Sequence, residues 1–384
     1  MKCFYIIASL IFVNCSTNTV NYDQKLENIP FIPLPQVIES SNLFLSVSEL
    51  SSIQTEIKSE RIEAALKDFT NFWEQQTSNE IVINTNLNNS LKSIHLDLNY
   101  NSETSKEFYQ LEINEKGIII KSNTEEGLYR GLTTLKQVVI FSSKTNNIKR
   151  LATGTINDFT NYEYRGAMLD VARHFFDIDD VKRYIDILSL YKFNFLHLHL
   201  TDDQGWRIEI KKWPQLTVIG GAKEVGGTDG GFFTQTEYKE LVNYAHEKFI
   251  TIIPEIDVPG HTNAALASYA ELNCNGISPN IYTGIEVGFS SLCAQKKVTY
   301  KFLEDVVDEI SLLTKGPYFH VGGDESYVTS DEDFIQIIDS VFSYVQKNNK
   351  TPITWDNNVK TGEINQLWNE GSDFMAIKKS KKII

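Results

Sequence analysis

The sequence predicts an α/β protein: a small α/β sandwich followed by a parallel (β/α) barrel of the TIM type that is incomplete at its C-terminus. Three observations predict it. From Tyr164 onward, short apolar segments recur with helix-like segments between them; polar residues gather just after these segments; and the preceding residues alternate strand-like and helix-like patterns without such polar ends. Strands joined by crossover helices pair in parallel, and parallel barrels carry their chemistry where the strands end.

The first 15 residues form a unit of their own. Lys2 precedes an apolar run at 4–13 and then the polar Ser16-Thr17-Asn18-Thr19, the pattern of a signal peptide with a core too short to span a bilayer. Export is therefore expected, to the periplasm, to the outer membrane as a lipoprotein, or out of the cell. Cys15 is either a lipid attachment site or the end of an ordinary cleaved leader. Once the leader and Cys3 are removed, Cys274 and Cys293 remain, either as a disulfide suited to an oxidising compartment or as two buried thiols.

Residues 20–160 form the α/β sandwich. Strand-like stretches lie at 81–83, 94–98 and 117–120. The helix-like stretch 125–139 repeats Leu128, Leu132, Leu135 and Val139 at spacings of three and four, which makes one buried face. No chemistry is evident in this part.

Residues 161–384 form the barrel. Six strand-like segments lie at 166–170, 195–200, 251–257, 318–321, 352–355 and 364–368, and Lys382-Ile383-Ile384 reads as the opening of a seventh. Helices are expected at 179–191 and 236–248, each starting near a capping Asp or Thr. With 384 residues, 41% hydrophobic and 22% charged, the chain has ordinary globular composition and room for both parts. Its net charge of −14 argues against nucleic acid or an anionic membrane as partner, since either needs a basic face.

The strand ends carry residues that a core does not choose. Arg165 and Asp170 flank the first, Asp202 and Asp203 follow the second, and Asp257 and His261 follow the third. Asp324 and Glu325 follow the fourth, with Trp355, Asp356 and Trp368 after the next two. In His320-Val321-Gly322-Gly323-Asp324-Glu325 the glycines let a ligand approach the backbone, and two adjacent acids can divide the labour of charge and proton transfer. Alone, that hexapeptide could equally be a turn with two solvated acids. Several such ends around one mouth make a polar pocket with aromatic walls, which suits a sugar's hydroxyls and apolar face.

Four ordered motifs then carry a resemblance. Tyr164-Arg165-Gly166 with Leu169-Asp170 and Ala172-Arg173-His174-Phe175 comes first, followed by His197-Leu198-His199-Leu200-Thr201-Asp202-Asp203-Gln204-Gly205-Trp206-Arg207. Pro254-Glu255-Ile256-Asp257-Val258-Pro259-Gly260-His261 and the Asp324-Glu325 hexapeptide complete the set. Together they resemble family 20 glycoside hydrolases, the β-N-acetylhexosaminidases. The resemblance implies an exo-acting enzyme for terminal β-N-acetylhexosamine, with Glu325 as acid/base and Asp324 orienting the substrate's own 2-acetamido group as nucleophile. It further implies that Arg165 holds sugar hydroxyls, that Asp202 and His261 support Glu325, that Trp355 and Trp368 wall the pocket, and that no cofactor or metal takes part.

Rival readings accompany it. His197 and His199 share one side of a strand, as in metal-dependent barrel hydrolases. Arg165 could be a barrel-end salt bridge to Asp170, and both tryptophans could be core aromatics. Members of the family continue through two more strands that complete the pocket, so a fragment with impaired folding and activity is expected, or an inactive remnant or carbohydrate-binding protein.

Overall fold

The computed structural model describes residues 25–85, 92–99, 105–146, 149–355, 364–368 and 382–384. The leader, Cys15 and Asp356 lie outside them.

Two large hydrophobic cores organise the described chain, with a small third cluster of Ile253, Ile353 and Ile364 on the parallel sheet. The first lies beneath a mixed seven-stranded sheet, in spatial order Val37–Ser46, Arg150–Asp158, Tyr109–Asn114, Gly117–Lys121, Ser93–Asp97, Ser52–Gln54 and Val82–Asn84. Helices Glu60–Thr77 and Glu125–Asn146 pack on each other. Leu128, Leu132, Leu135 and Val139 are all buried in this core beside Ile118 and Ile120, as their spacing predicts. Ile62, Ala65, Leu66, Phe69 and Trp73 do the same for the other helix. Strand Val37–Ser46 has only Leu45 fully buried, so its sequence shows little alternation.

The second sheet is parallel and has seven strands. Gly166–Asp170, Phe195–His199, Thr251–Glu255, Tyr318–His320, Thr351–Trp355, Ile364–Gln366 and Lys382–Ile383 follow one another in space as in sequence. The short seventh strand pairs with the sixth through Ile364↔Lys382. Among the described residues the two edge strands do not pair with each other. Register, more than strand count, decides which side chains meet. Asp170 pairs with His199, His199 with Glu255, and Glu255 with His320, so four polar side chains reach the same level from four strands.

Helices Ile178–Leu190, Gln235–Glu247, Lys297–Leu313 and Asp331–Lys347 lie between the strands. The Asp177 carboxylate caps the first by accepting the N–H groups of Asp179 and Asp180, and Thr234 with Glu237 forms a capping box on the second. Their inward faces, such as Val181, Ile185 and Leu188 or Tyr238, Leu241 and Ala245, join the second core. Each large apolar side chain among them contributes roughly 1.5–3 kcal/mol by leaving water. Cys274 and Cys293 are joined by a disulfide with Cα atoms 4.9 Å apart, closing the loop before helix Lys297–Leu313.

Candidate active site

The turn after the fourth strand is built for close approach. Gly322 and Gly323 have φ of +69° and +97°, and Glu325 itself sits at +40°. That region costs a non-glycine residue on the order of 1–3 kcal/mol, a strain that surrounding contacts must hold. A Cβ on Gly322 would lie 1.8 Å from Asp257 Oδ1, and the N–H of Gly323 donates to that same oxygen at 3.0 Å. The turn therefore closes onto Asp257 and presents Asp324 and Glu325 at the mouth.

Asp257 is fully buried. Burial, then the charges of Asp324, Glu255 and Asp202, raise its pKa well above the ordinary carboxylate value, which favours its protonated form behind Asp324. Asp324 shares a hydrogen bond with the Asp257 carboxyl, and among the described residues no N–H or alcohol hydroxyl donates to its buried Oδ1, which leaves acceptor capacity for something that enters.

His261 stands between the two acids. Its Nε2 lies 3.8 Å from Asp324 Oδ2 and 3.6 Å from Glu325 Oε2, while Nδ1 donates to Asp202 Oδ1 at 3.1 Å. Burial works against a charged imidazole, but the hydrogen bond and charge of Asp202, then Asp324, outweigh it and push the His261 pKa up to about 9. The cation thus faces Glu325 at a distance that leaves room for a proton's departure.

Asp202 belongs to a longer chain. It accepts from His199 Nε2 at 2.7 Å and pairs with Arg173 Nη2 at 2.7 Å. Burial opposes its ionisation, yet the hydrogen bonds from His199 and His261 lower its pKa below the ordinary value. His199 Nδ1 in turn meets Glu255 Oε2 at 2.6 Å, and His197 Nε2 meets the same oxygen at 2.8 Å. Trp355 Nε1 donates to Glu255 Oε1 at 2.7 Å. Burial resists the charge of Glu255, but His199, His320 and His197 hold its pKa well below the usual range. Burial likewise opposes charge on His199, but Glu255 and Asp202 hold it cationic; on His197 burial wins and pushes the pKa down to about 4. Charge therefore alternates from Glu255 through His199 and Asp202 to His261, whose Nε2 faces the carboxyl groups of Asp324 and Glu325. The nitrogens of His197 and His199 that a metal hydrolase would direct to an open position converge on one carboxylate.

Arg165 requires a correction. It precedes the first strand, so it lies at the N-terminal end of the sheet, away from Asp324 and Glu325. Its guanidinium is engaged by Glu107, the Lys192 and Tyr162 carbonyls and Thr160 Oγ1. Its acidic partner is Glu107, not Asp170. A cavity of about 220 Å³ at this seam is lined by Glu107, Arg130, Arg165 and Lys192, whose charges are paired with Glu107, Glu126 and Asp158. The guanidinium at the mouth belongs to Arg173, which binds Asp170 Oδ2 at 2.9 Å and Asp202 Oδ2 at 2.7 Å. Its signal is Asp170-x-x-Arg173, a pair placed directly after a strand's C-terminal end.

Trp355 is buried against His320, and Trp368 crosses it edge-on at 6.4 Å with 48% of its surface exposed. One ring is anchored and the other offers an open face. Sequence reasoning alone assigns no binding or catalytic role to Arg173 or Glu255, and places Asp257 only among the polar strand ends of the pocket. A Glu inside the apolar run Ile252–Ile256 is the available clue, since buried carboxylates need partners.

Two family models match the chain: glycosyl hydrolase family 20, domain 2, over residues 28–159, and glycosyl hydrolase family 20, catalytic domain, over residues 162–382. A β-N-acetylhexosaminidase of Cellulomonas fimi is 37% identical over 284 residues, covering 73% of this chain and 57% of that protein. A β-hexosaminidase of Porphyromonas gingivalis is 34% identical, covering 84% of this chain and 42% of its own length. The chain thus spans about half the length of these relatives. The solved Streptomyces plicatus N-acetyl-β-hexosaminidase in complex with Thio-NAglucal superposes with a TM-score of 0.84 at 38% identity, over 92% of this chain and 73% of that one. Fold, motif order and both family models agree, and the chain belongs to glycoside hydrolase family 20.

Proposed function

We propose that the protein is an exo-acting β-N-acetylhexosaminidase that releases terminal N-acetylglucosamine or N-acetylgalactosamine by substrate-assisted, retaining hydrolysis. The observation that carries this reading is the presentation of Asp324 and Glu325 side by side on a strained glycine turn, with the His261 cation between them. Asp324 accepts the N–H of the 2-acetamido group, so that the acetamide oxygen is aimed at the anomeric carbon. That oxygen attacks as Glu325 gives its proton to the departing glycosidic oxygen, forming an oxazolinium intermediate. No enzyme carboxylate becomes glycosylated. The negative charge then left on Glu325 faces His261 Nε2 at 3.6 Å, which favours the proton's departure. Glu325 next takes a proton from water as that water opens the intermediate, and two inversions give net retention.

Arg173 grips hydroxyls at the mouth, and Trp355 with Trp368 walls the sugar. A mutant Streptomyces plicatus β-hexosaminidase solved in complex with its product GlcNAc supports an N-acetyl sugar as the ligand. The leader pattern and the Cys274–Cys293 disulfide support export, with Cys15 as a candidate lipid attachment site. The test is a comparison of chromogenic N-acetylglucosaminide with plain glucoside, with and without chelator, plus a thiazoline mimic of the intermediate. Selective hydrolysis of the N-acetyl sugar, indifference to chelator and strong thiazoline inhibition are expected. Equal cleavage of the glucoside overturns substrate assistance, and loss of activity with chelator favours a metal hydrolase.

A further inference from the structure

The two oxygens of Glu325 face different ways. Oε2 looks toward His261, whereas Oε1 lies 3.4 Å from the hydroxyl of Tyr327. Tyr327 is 73% exposed, an unusual position for a large aromatic ring next to a general acid. It is not a loose side chain. Its ring lies on Gly288, where an added Cβ would come within 2.2 Å of the ring carbon Cδ2, so glycine at 288 is what lets the ring lie there. Its N–H donates to the Glu325 carbonyl at 2.9 Å, tying the ring to the acid. The residue after Gly288 is Phe289, 40% exposed and held edge-on by Tyr282 at 4.6 Å. Gln204 fastens this loop to the barrel through the Gly284 carbonyl at 3.0 Å. Beyond Phe289 and Val328 a pocket of about 450 Å³ opens, with Asn273, Asn275 and Gln295 in its lining.

Resting on the hexosaminidase reading, we infer that Tyr327 and Phe289 form the platform that receives the leaving-group sugar, so that the substrate class is an oligosaccharide whose penultimate pyranose stacks on these rings. The acid fixes the place. A proton passes from Glu325 to the glycosidic oxygen over a hydrogen-bond distance, so the ring attached to that oxygen must lie within a few ångström of Glu325, where Tyr327 stands. An exposed aromatic face held by the backbone takes the apolar face of a pyranose with little loss of side-chain freedom. The amide-lined pocket then offers hydrogen bonds to the sugar's hydroxyls.

The test uses two substrates with the same N-acetylglucosaminyl group: the β-1,4-linked disaccharide and the glycosyl fluoride, which has no leaving-group ring. In Tyr327→Ala, kcat/KM for the disaccharide should fall about tenfold further than for the fluoride, chiefly through KM, as expected for loss of one stacked ring. Tyr327→Phe should keep the wild-type ratio, because it keeps the ring and removes only the hydroxyl. Equal losses on both substrates, or a Phe variant as impaired as the Ala variant, overturn the inference and leave a contact to Glu325 as the residue's role. Calorimetric binding of the disaccharide and of free N-acetylglucosamine separates this from the activity itself. If the wild type turns over neither substrate yet Tyr327→Ala weakens only disaccharide binding, the platform stands and the hydrolase reading falls. Equal binding of the disaccharide by both forms sinks the platform.

Discussion

Arg165 and Arg173 flank one strand, Gly166–Asp170, and the chain direction between them separates structure from chemistry. Arg165, before the strand, is drawn into the seam with the α/β sandwich, where Glu107 lies between it and Arg130. Burial opposes the charge of Glu107, but Arg130 and Arg165 outweigh it and lower its pKa, so the cluster is a paired ionic joint. Arg173, after the strand, pairs with Asp170 and Asp202 and stays partly open to the mouth. Residue type does not distinguish the two. In a parallel barrel the C-terminal strand ends converge on one rim, and only groups on that rim can reach a common ligand.

The two ends of the strand should differ most in their response at the acids. Glu325→Gln should lower turnover of substrates with poor leaving groups by about 10²–10⁴, the usual worth of positioned proton transfer, and should spare good leaving groups on the first step. Its melting temperature should stay at the wild-type value; equal losses on both kinds of substrate would count against the acid role. At the other end, Glu107→Ala leaves buried Arg130 with Glu126 as its acidic partner and Arg165 without one, and should cost up to about 3–5 kcal/mol in denaturant unfolding. KM of the folded fraction should not change. A Glu107→Ala protein of normal stability but poor affinity would reverse the roles assigned to the two ends. Arg173→Lys is the smaller probe at the mouth. It keeps the charge but loses the forked geometry, so KM should rise by about tenfold with little change in stability. Arg165→Lys should leave KM alone.

The legible parts of this molecule are those that a local pattern encodes. Buried parallel strands read as apolar runs, and Gly322-Gly323 before two acids announces a turn that something approaches. The seventh strand is visible in Lys382-Ile383-Ile384. What stays hidden depends on register. Glu255 is one carboxylate in an apolar strand, and its partners His197, His199, His320 and Trp355 come from three other strands. Nothing local says that these five side chains meet. Arg165 is misplaced by its motif for a related reason: a motif names its residues without saying which end of the strand each one leaves. Val37–Ser46 escapes detection because an edge strand with one fully buried residue has no alternation to read.

The finest test asks whether the charge chain at the mouth titrates as its surroundings require. His261 is faced by Asp202, Asp203, Asp324 and Glu325, with Asp257 close by, and its pKa rises from 6.5 to about 9. A raised pKa contributes stability that is complete below 6.5 and is lost as pH climbs through 9. His197 has the opposite sign. Its pKa falls from 6.5 to about 4, so its contribution is present above 6.5 and is lost as pH drops toward 4. Stability measured by urea unfolding should therefore decline on both sides of this middle range, with each whole proton worth up to about 1.4 kcal/mol per pH unit. His261→Gln should flatten the alkaline decline and leave the acid one intact. His199, whose pKa is also raised, keeps a residual alkaline slope in that variant, while the raised pKa of Asp257 adds a decline that begins above 3.8 and so offsets part of the acid-side slope of His197. An alkaline slope unchanged by His261→Gln would show that the cation between Asp324 and Glu325 is not held by Asp202, and with it would go the support this histidine gives to the proton's departure from Glu325.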